Sequence, residues 1–399
     1  MAESKDENDA ETLLASPSRS PGRRVSGRKL AVTIHGTIGL VLGAIFVVIG
    51  LSGSILAFRQ PLDEWLNADI MRVIVPEDGA YRPLEELLTA ARAAALPDGV
   101  PERLSLPRTS GLAAAVTFVV TTDDLETDLY QIFVDPYTAK VTGQRLLLHG
   151  DRPFSKPFIH IVRDFHWTLL LGPNRAYIVG FTAIFLFVSV LVGAWLGWPR
   201  NRSWRKATRI NWHAPLGRVS YDIHKALGLY LFAVVMVVLF TGCAMIFKPQ
   251  TRSVVGLISP LRQDARDVKS TPTLAQPPLG LDAVAGIANT VFPDGKLHRI
   301  LLPAGPTSVF VVGKQADDEP NRTGTNRTVT IDQFSGQILH VQDRNDFTAG
   351  ERFLEWLYPL HCGEAFGNIG RMFVLTMGFV PLILFVTGFV RWRQRRPAR

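Results

Sequence analysis

The chain has 399 residues, 47% of them hydrophobic, and 43 Lys and Arg against 35 Asp and Glu give a formal charge of +8. The positive excess stands beside apolar runs, so it reads as a membrane-topology signal and excludes a nucleic-acid surface. Two cysteines, Cys243 and Cys362, exclude a zinc site and any CxxC-based chemistry.

Residues 1–27 mix Asp, Glu, Ser, Pro and Arg, offer no core, and read as a disordered cytoplasmic tail. A first transmembrane helix is expected over 28–58, built on the uncharged run Ala31–Phe58; about 20 apolar residues already cross a bilayer. His35 sits one turn inside it, and intramembrane ionisable residues are rare and mark ion, proton or cofactor sites. The run is too long for a signal peptide and no small-residue cleavage site follows it.

Residues 59–165 read as a soluble α+β domain: the helix-like PLEELLTAARAAALPDG, then β-rich runs around a hairpin turn at Asp135–Thr138. Residues 166–198 hold His166 and a second span, Tyr177–Trp198. A basic loop, 199–219, carries Arg200, Arg202, Arg205, Lys206, Arg209 and Arg218. A third span over 220–247 is entered through His224, and 248–353 form a second α+β domain with a turn at Asp332–Ser335, where Gly336 suits positive φ. Residues 354–392 hold His361 and the span Met372–Val390, before a basic tail, 393–399. Basic flanks place both termini and the middle loop in the cytoplasm, and the two domains outside.

The chain reads as a tandem two-fold repeat with an offset of 189 to 197 residues. His35 and His224 both precede a glycine by four and another by eighteen, and a basic residue (Arg59, Lys248) stands at +24 in each copy. His166 and His361 each precede a glycine by 27, Gly193 and Gly388. An even number of spans per unit relates the halves by a pseudo-two-fold axis along the membrane normal. Symmetry then sets His35 against His224 near the inner face and His166 against His361 near the outer face. Two bis-histidine sites at two depths describe an electron path, with the four histidines as axial ligands of two non-covalent b haems. Gly39, Gly43, Gly50 and Gly228 are expected to leave room for porphyrin. Arg28 and Lys225 are candidate propionate partners at the inner site, and Arg163, Arg175 and Arg371 at the outer one. His160, six residues before His166, stands as an alternative ligand, and a bond between Cys243 and Cys362 stays open.

His35-Gly36 with Ser52-Gly53, His166 with the Gly193–Pro199 exit, His224 with Thr241-Gly242, and His361-x-Gly363 with Thr387-Gly388 resemble the PepSY-associated transmembrane (PiuB-like) family over about residues 28–396. Leu191-Val192-Gly193 departs from it where Thr-Gly is common, and Gln333 stands where Pro is usual. The fold class expected is membrane α plus soluble α+β, with four transmembrane helices and two periplasmic PepSY-like domains. The resemblance implies a bacterial inner-membrane ferric-siderophore reductase fed by a cytoplasmic or quinol donor and releasing Fe(II). Two other readings stand beside it: haem electron transfer to copper or a partner redox protein, and a non-enzymatic PepSY anchor or sensor.

Overall fold

The computed structural model describes residues 27–121, 127–149, 152–199, 203–262, 268–272, 276–321 and 324–395. The expected N-terminal tail (apart from Gly27), Arg200 and Arg202 of the basic loop, and the end of the C-terminal tail lie outside the described residues. In the first half the elements are α1 (Gly27–Leu56), α2 (Arg59–Leu66), α3 (Ala68–Met71), α4 (Leu84–Ala93), β1 (Val100–Ser105), β2 (Ala114–Thr121), β3 (Thr127–Val134), β4 (Val141–His149), α5 (Phe158–Thr168) and α6 (Tyr177–Gly197). After α7 (Trp204–Ala207) come α8 (Leu216–Tyr230), α9 (Phe232–Ile246), α10 (Lys248–Gly256), α11 (Leu281–Val291), β5 (Lys296–Leu301), β6 (Val309–Gln315), β7 (Arg327–Asp332), β8 (Ile338–Gln342), α12 (Ala349–Cys362), α13 (Gly367–Met377) and α14 (Val380–Arg395).

Helix α1 runs unbroken for 30 residues, about 45 Å at 1.5 Å per residue, against a hydrocarbon core of about 30 Å. Among the described residues three stretches are long and apolar enough to cross a membrane: α1, α6 and Glu364–Gln394. A fourth is present if α8 and α9, which meet at 65°, count as one bent span. The third span expected over 220–247 corresponds to this bent pair. Leu231 leaves helical geometry between α8 and α9, three residues after Gly228, the nearest helix-weakening residue. Helix α1 packs against α6 and α14, α6 against α9, and α14 against α8, which closes the stretches into a ring. Leu186, Val235 and Leu239 form its buried centre with Ile38, Leu42 and Phe46.

The two soluble segments, expected as separate domains, share one antiparallel sheet in the order β4-β3-β2-β1-β5-β6-β7-β8. Leu104 of β1 faces Ile300 of β5, flanked by Arg103 opposite Leu301 and Ser105 opposite Arg299. The register is symmetric about the Leu104–Ile300 pair. Each half alone would leave an open edge strand at β1 or β5, and this pairing removes both. Leu104 and Ile300 point into a buried core with Leu87 and Leu88 of α4 and Leu281 and Val284 of α11. The two helices also cap each other. Asp282 accepts from the Leu84 and Glu85 amides at 2.8 and 3.1 Å, while Glu85 accepts from the Leu281 amide at 3.0 Å.

The other face of the sheet meets the segment leading out of α1. Ile70, Met71 and Val73 pack on Ala113, Ala115 and Phe133, and Arg145 of β4 pairs with Asp63 of α2 at 2.9 Å. That face therefore looks toward the helical ring. The hairpin turns lie as expected, and Gly336 has φ 74° while its counterpart Ala139 is held at φ 54°.

Candidate functional site

Two histidine pairs sit in the ring. His35 on α1 and His224 on α8 have ring centroids 6.0 Å apart with planes at 75°. His166, near the end of α5, and His361, near the end of α12, are 6.1 Å apart with planes at 63°. Two imidazoles sharing one metal at about 2.0 Å per bond, each nitrogen about 1.2 Å from its ring centre, set their centroids about 6.4 Å apart. Both pairs match that spacing. On α1 the second pair is met at Ile49 and Ser52, 14 and 17 residues beyond His35. The two levels are thus roughly 21–26 Å apart along the helix.

Each ring is seated on a neighbouring helix through Nδ1. His35 Nδ1 donates to the Ser189 carbonyl at 2.9 Å and lies 3.0 Å from its Oγ. His224 Nδ1 donates to Leu384 O at 3.0 Å beside Thr387 Oγ1 at 3.1 Å. His166 uses Ile49 O at 2.9 Å and Ser52 Oγ at 3.2 Å, and His361 uses Val238 O at 3.1 Å and Thr241 Oγ1 at 3.0 Å. A carbonyl only accepts, so each Nδ1 carries the proton and each Nε2 keeps a lone pair. Among the described residues no hydrogen bond engages any of the four Nε2 atoms.

The seat has a sequence form: a carbonyl, a hydroxyl three residues on, and a glycine four residues on. It reads Ile49–Ser52-Gly53, Val238–Thr241-Gly242 and Leu384–Thr387-Gly388. A methyl group at Gly53, Gly193 or Gly242 would lie 2.9, 2.7 or 2.9 Å from the Cε1 of His166, His35 or His361, and one at Gly388 3.4 Å from that of His224. Glycine therefore lets the imidazole approach the helix backbone. Val192 breaks the pattern before Gly193, and Ser189 supplies both carbonyl and hydroxyl there. Ser52, Thr241 and Thr387 donate their own protons to carbonyls of their own helices, so they act as acceptors toward Nδ1.

The glycines expected to face a porphyrin divide. Gly39 and Gly228 face open space, whereas Gly43 abuts Phe385 and Gly50 abuts Gly378 and Pro381. The last two serve helix packing and are corrected on that ground. The candidate cations also divide. Arg28 lines a groove with Trp195, Leu196 and Trp198, and Lys225 lies 5.7 Å from the Tyr221 ring centre. Arg163 pairs with Asp164 at 3.0 Å, and Arg371 with Glu364 at 2.8 Å. Arg175 is exposed and forms no ion pair among the described residues. Sequence reasoning missed two others. Arg391 lies 5.0 Å from the Tyr221 ring, one turn before His224, and Arg59 lies 5.6 Å from the Tyr358 ring, one turn before His361. Among the described residues the buried Nε atoms of Arg59, Arg371 and Arg391 have no hydrogen-bond partner. The repeated basic residue at +24 was the available signal for Arg59; Arg391 stands opposite Leu196 in the repeat and had none.

His160 does not join either pair. Its Nδ1 is buried without a partner, and burial, then Arg163 and Arg145, push its pKa down to about 4. Both cysteines are free; burial, then Glu364, push the Cys362 thiol up to about 11.

A family model of the PepSY-associated TM region matches residues 32–395, a span that contains all four paired histidines and the whole sheet. The chain belongs to this PepSY-associated family. No curated protein matches it. Family membership and the apolar stretches together make it a membrane protein.

Proposed function

We propose that this PepSY-associated membrane protein is a di-haem b electron carrier of the bacterial inner membrane that reduces a periplasmic ferric siderophore. In this reading four spans form a tandem two-fold repeat, both termini are cytoplasmic and the sheet is periplasmic. The observation that carries it is the pair of facing histidine sites, each ring seated through Nδ1 with its Nε2 uncommitted. The surroundings fit an iron porphyrin. Two imidazoles meet at each level with centroids 6.0 and 6.1 Å apart, Gly39 and Gly228 leave open space, and the buried Nε atoms of Arg391 near the inner pair and Arg59 near the outer pair have no partner among the described residues, a need that haem carboxylates would meet.

A b haem bound at each level supplies one-electron Fe(III)/Fe(II) exchange. His35 and His224 hold the inner position, and Arg28, Lys225 and Arg391 are the cations placed to face its carboxylates. His166 and His361 hold the outer position, with Arg59, Arg175 and Arg371 near it. The seats on Ser189, Leu384, Ile49 and Val238 fix ring orientation and place the proton of the neutral ring on Nδ1, leaving Nε2 as the ligating atom, as partners of metal-bound histidine do. The substrate iron takes one electron by outer-sphere transfer, leaves the chelate as Fe(II), and needs no acid or base from the protein. An electron crossing about 100 mV exchanges about 2.3 kcal/mol, within reach of modest differences in potential between the two levels.

The test uses full-length protein in nanodiscs, reduced with dithionite and mixed with a ferric siderophore. Re-oxidation of the haem band, matched by Fe(II) captured with a chromogenic chelator, is expected. His361→Ala should abolish both. Haem-replete protein that stays reduced with every ferric chelate offered contradicts the reductase reading.

A further inference from the structure

The sheet's inward face carries two arginines at its symmetric centre. Arg103 and Arg299 lie two residues apart diagonally across β1 and β5, on the face opposite the buried Leu104 and Ile300. Diagonal neighbours of this kind stand about 7–8 Å apart at Cα. Among the described residues Arg103 reaches only Thr117 Oγ1, at 3.4 Å, and Arg299 lies against Gly313. Neither forms an ion pair with any described residue. Burial and the neighbouring Arg103 charge both lower the pKa of Arg299. Two part-buried like charges without a carboxylate destabilise the empty site, and an anion between them relieves that cost.

Their position relative to the outer histidine pair follows from the helices beneath. Helix α5 has His160 near Arg145 of β4 and Asp63 of α2, and α12 has Glu355 bonded to Asn326, beside β7, and to Arg344. His160 and Glu355 each precede the paired histidine of their helix by six residues, about 9 Å. The two helices therefore rise under the two outer parts of the sheet. Between them, β1 and β5 form the centre of the sheet above the level of His166 and His361. A two-fold relating the halves, as proposed above, would pass through the midpoint of each equivalent pair and set Arg103/Arg299, His166/His361 and His35/His224 on one axis.

We propose that Arg103 and Arg299 form the substrate anion site, taking a negatively charged ferric chelate of the carboxylate or catecholate class directly above the outer histidine pair. This rests on the reductase reading for its substrate. Each guanidinium can grip two ligand oxygens in parallel, as lysine cannot. The arrangement selects against uncharged hydroxamate complexes, which leave the two charges unneutralised.

The experiment measures binding of redox-inert gallium(III) complexes to full-length protein in detergent by calorimetry. Gallium(III) citrate is the anionic probe and the gallium(III) complex of a linear trihydroxamate the uncharged one. Wild type should prefer the citrate complex. Arg103→Gln/Arg299→Gln should lose about 100-fold or more for citrate, with no change for the trihydroxamate and an unchanged haem spectrum. Should the double variant fail to fold, Arg103→Lys reads the same question with an expected loss of about 10-fold. Equal citrate binding by wild type and variants, or preference of wild type for the trihydroxamate, overturns the site. Gallium takes no electron, so the two readings separate. Arginine-dependent binding to protein that holds no haem removes the reductase and leaves an anion site. Full haem content with arginine-independent binding removes the anion site alone.

Discussion

A histidine ligand is only as well placed as the backbone it leans on. Gly53→Val keeps all four histidines yet puts branched carbon where His166 sits, 2.9 Å from Cε1 for the first atom alone. It should cost the outer haem, seen as a fall from about two haems per chain to about one. Thr241→Val removes a hydroxyl and leaves the Val238 carbonyl, so His361 keeps its proton and loses one acceptor. Haem affinity at the outer site is expected to fall about 10-fold or more, with a shift in that haem's midpoint potential. Ala139 is held at φ 54° where the second copy has Gly336, and left-handed geometry costs a non-glycine residue about 1–2 kcal/mol. Ala139→Gly should therefore raise the thermal midpoint, and Gly336→Ala should lower it. Asp332 is buried, which raises its pKa. Bonds from the Ser335, Thr271 and Phe334 amides outweigh this and hold it down to about 2. Its stabilisation is present above the ordinary 3.8 and lost as pH falls through about 2. Asp332→Asn should abolish that part of the acid unfolding of the sheet, followed by circular dichroism. The four ligand candidates were legible because they recur in phase. Their seats were not, because a backbone carbonyl leaves no trace in a sequence and Ser189 replaces a hydroxyl that the pattern puts at 192.

Among elements, the apolar runs and the α+β character of the soluble segments were legible from hydropathy and alternation. The bend between α8 and α9 was not, since the run reads evenly across Leu231. The joining of the two half-sheets was hidden for a different reason. β1 and β5 are short strands of mixed polarity, and only their partner decides whether an edge is open. The crossed caps of α4 and α11 hold the halves together as well. Asp282→Ala frees two amides of α4 and should cost about 1 kcal/mol, read as a drop in thermal midpoint. If the sheet is one cooperative unit, amides of β1 and β5 exchange hydrogen together and at the slowest rate. Separate exchange of the two halves contradicts the shared core.

At the scale of the molecule, the proposed two-fold repeat would set on one axis everything with a proposed role: the paired arginines of the sheet, the outer histidines and the inner histidines. The repeat predicted the two histidine levels from spacing alone, and the sheet's symmetric register around Leu104 and Ile300 continues the same relation outside the ring. His224→Ala removes one partner of the inner pair, and it should lower haem content to about one per chain while the outer site stays spectroscopically intact. The most direct test of the account is the haem content of the wild-type chain. Purified in mild detergent and converted to the pyridine haemochrome, it should show about two b haems per chain in the reduced-minus-oxidised spectrum. Protein that remains colourless after haem-supplemented expression contradicts the electron path and leaves the sheet as the anchor or sensor of some other process.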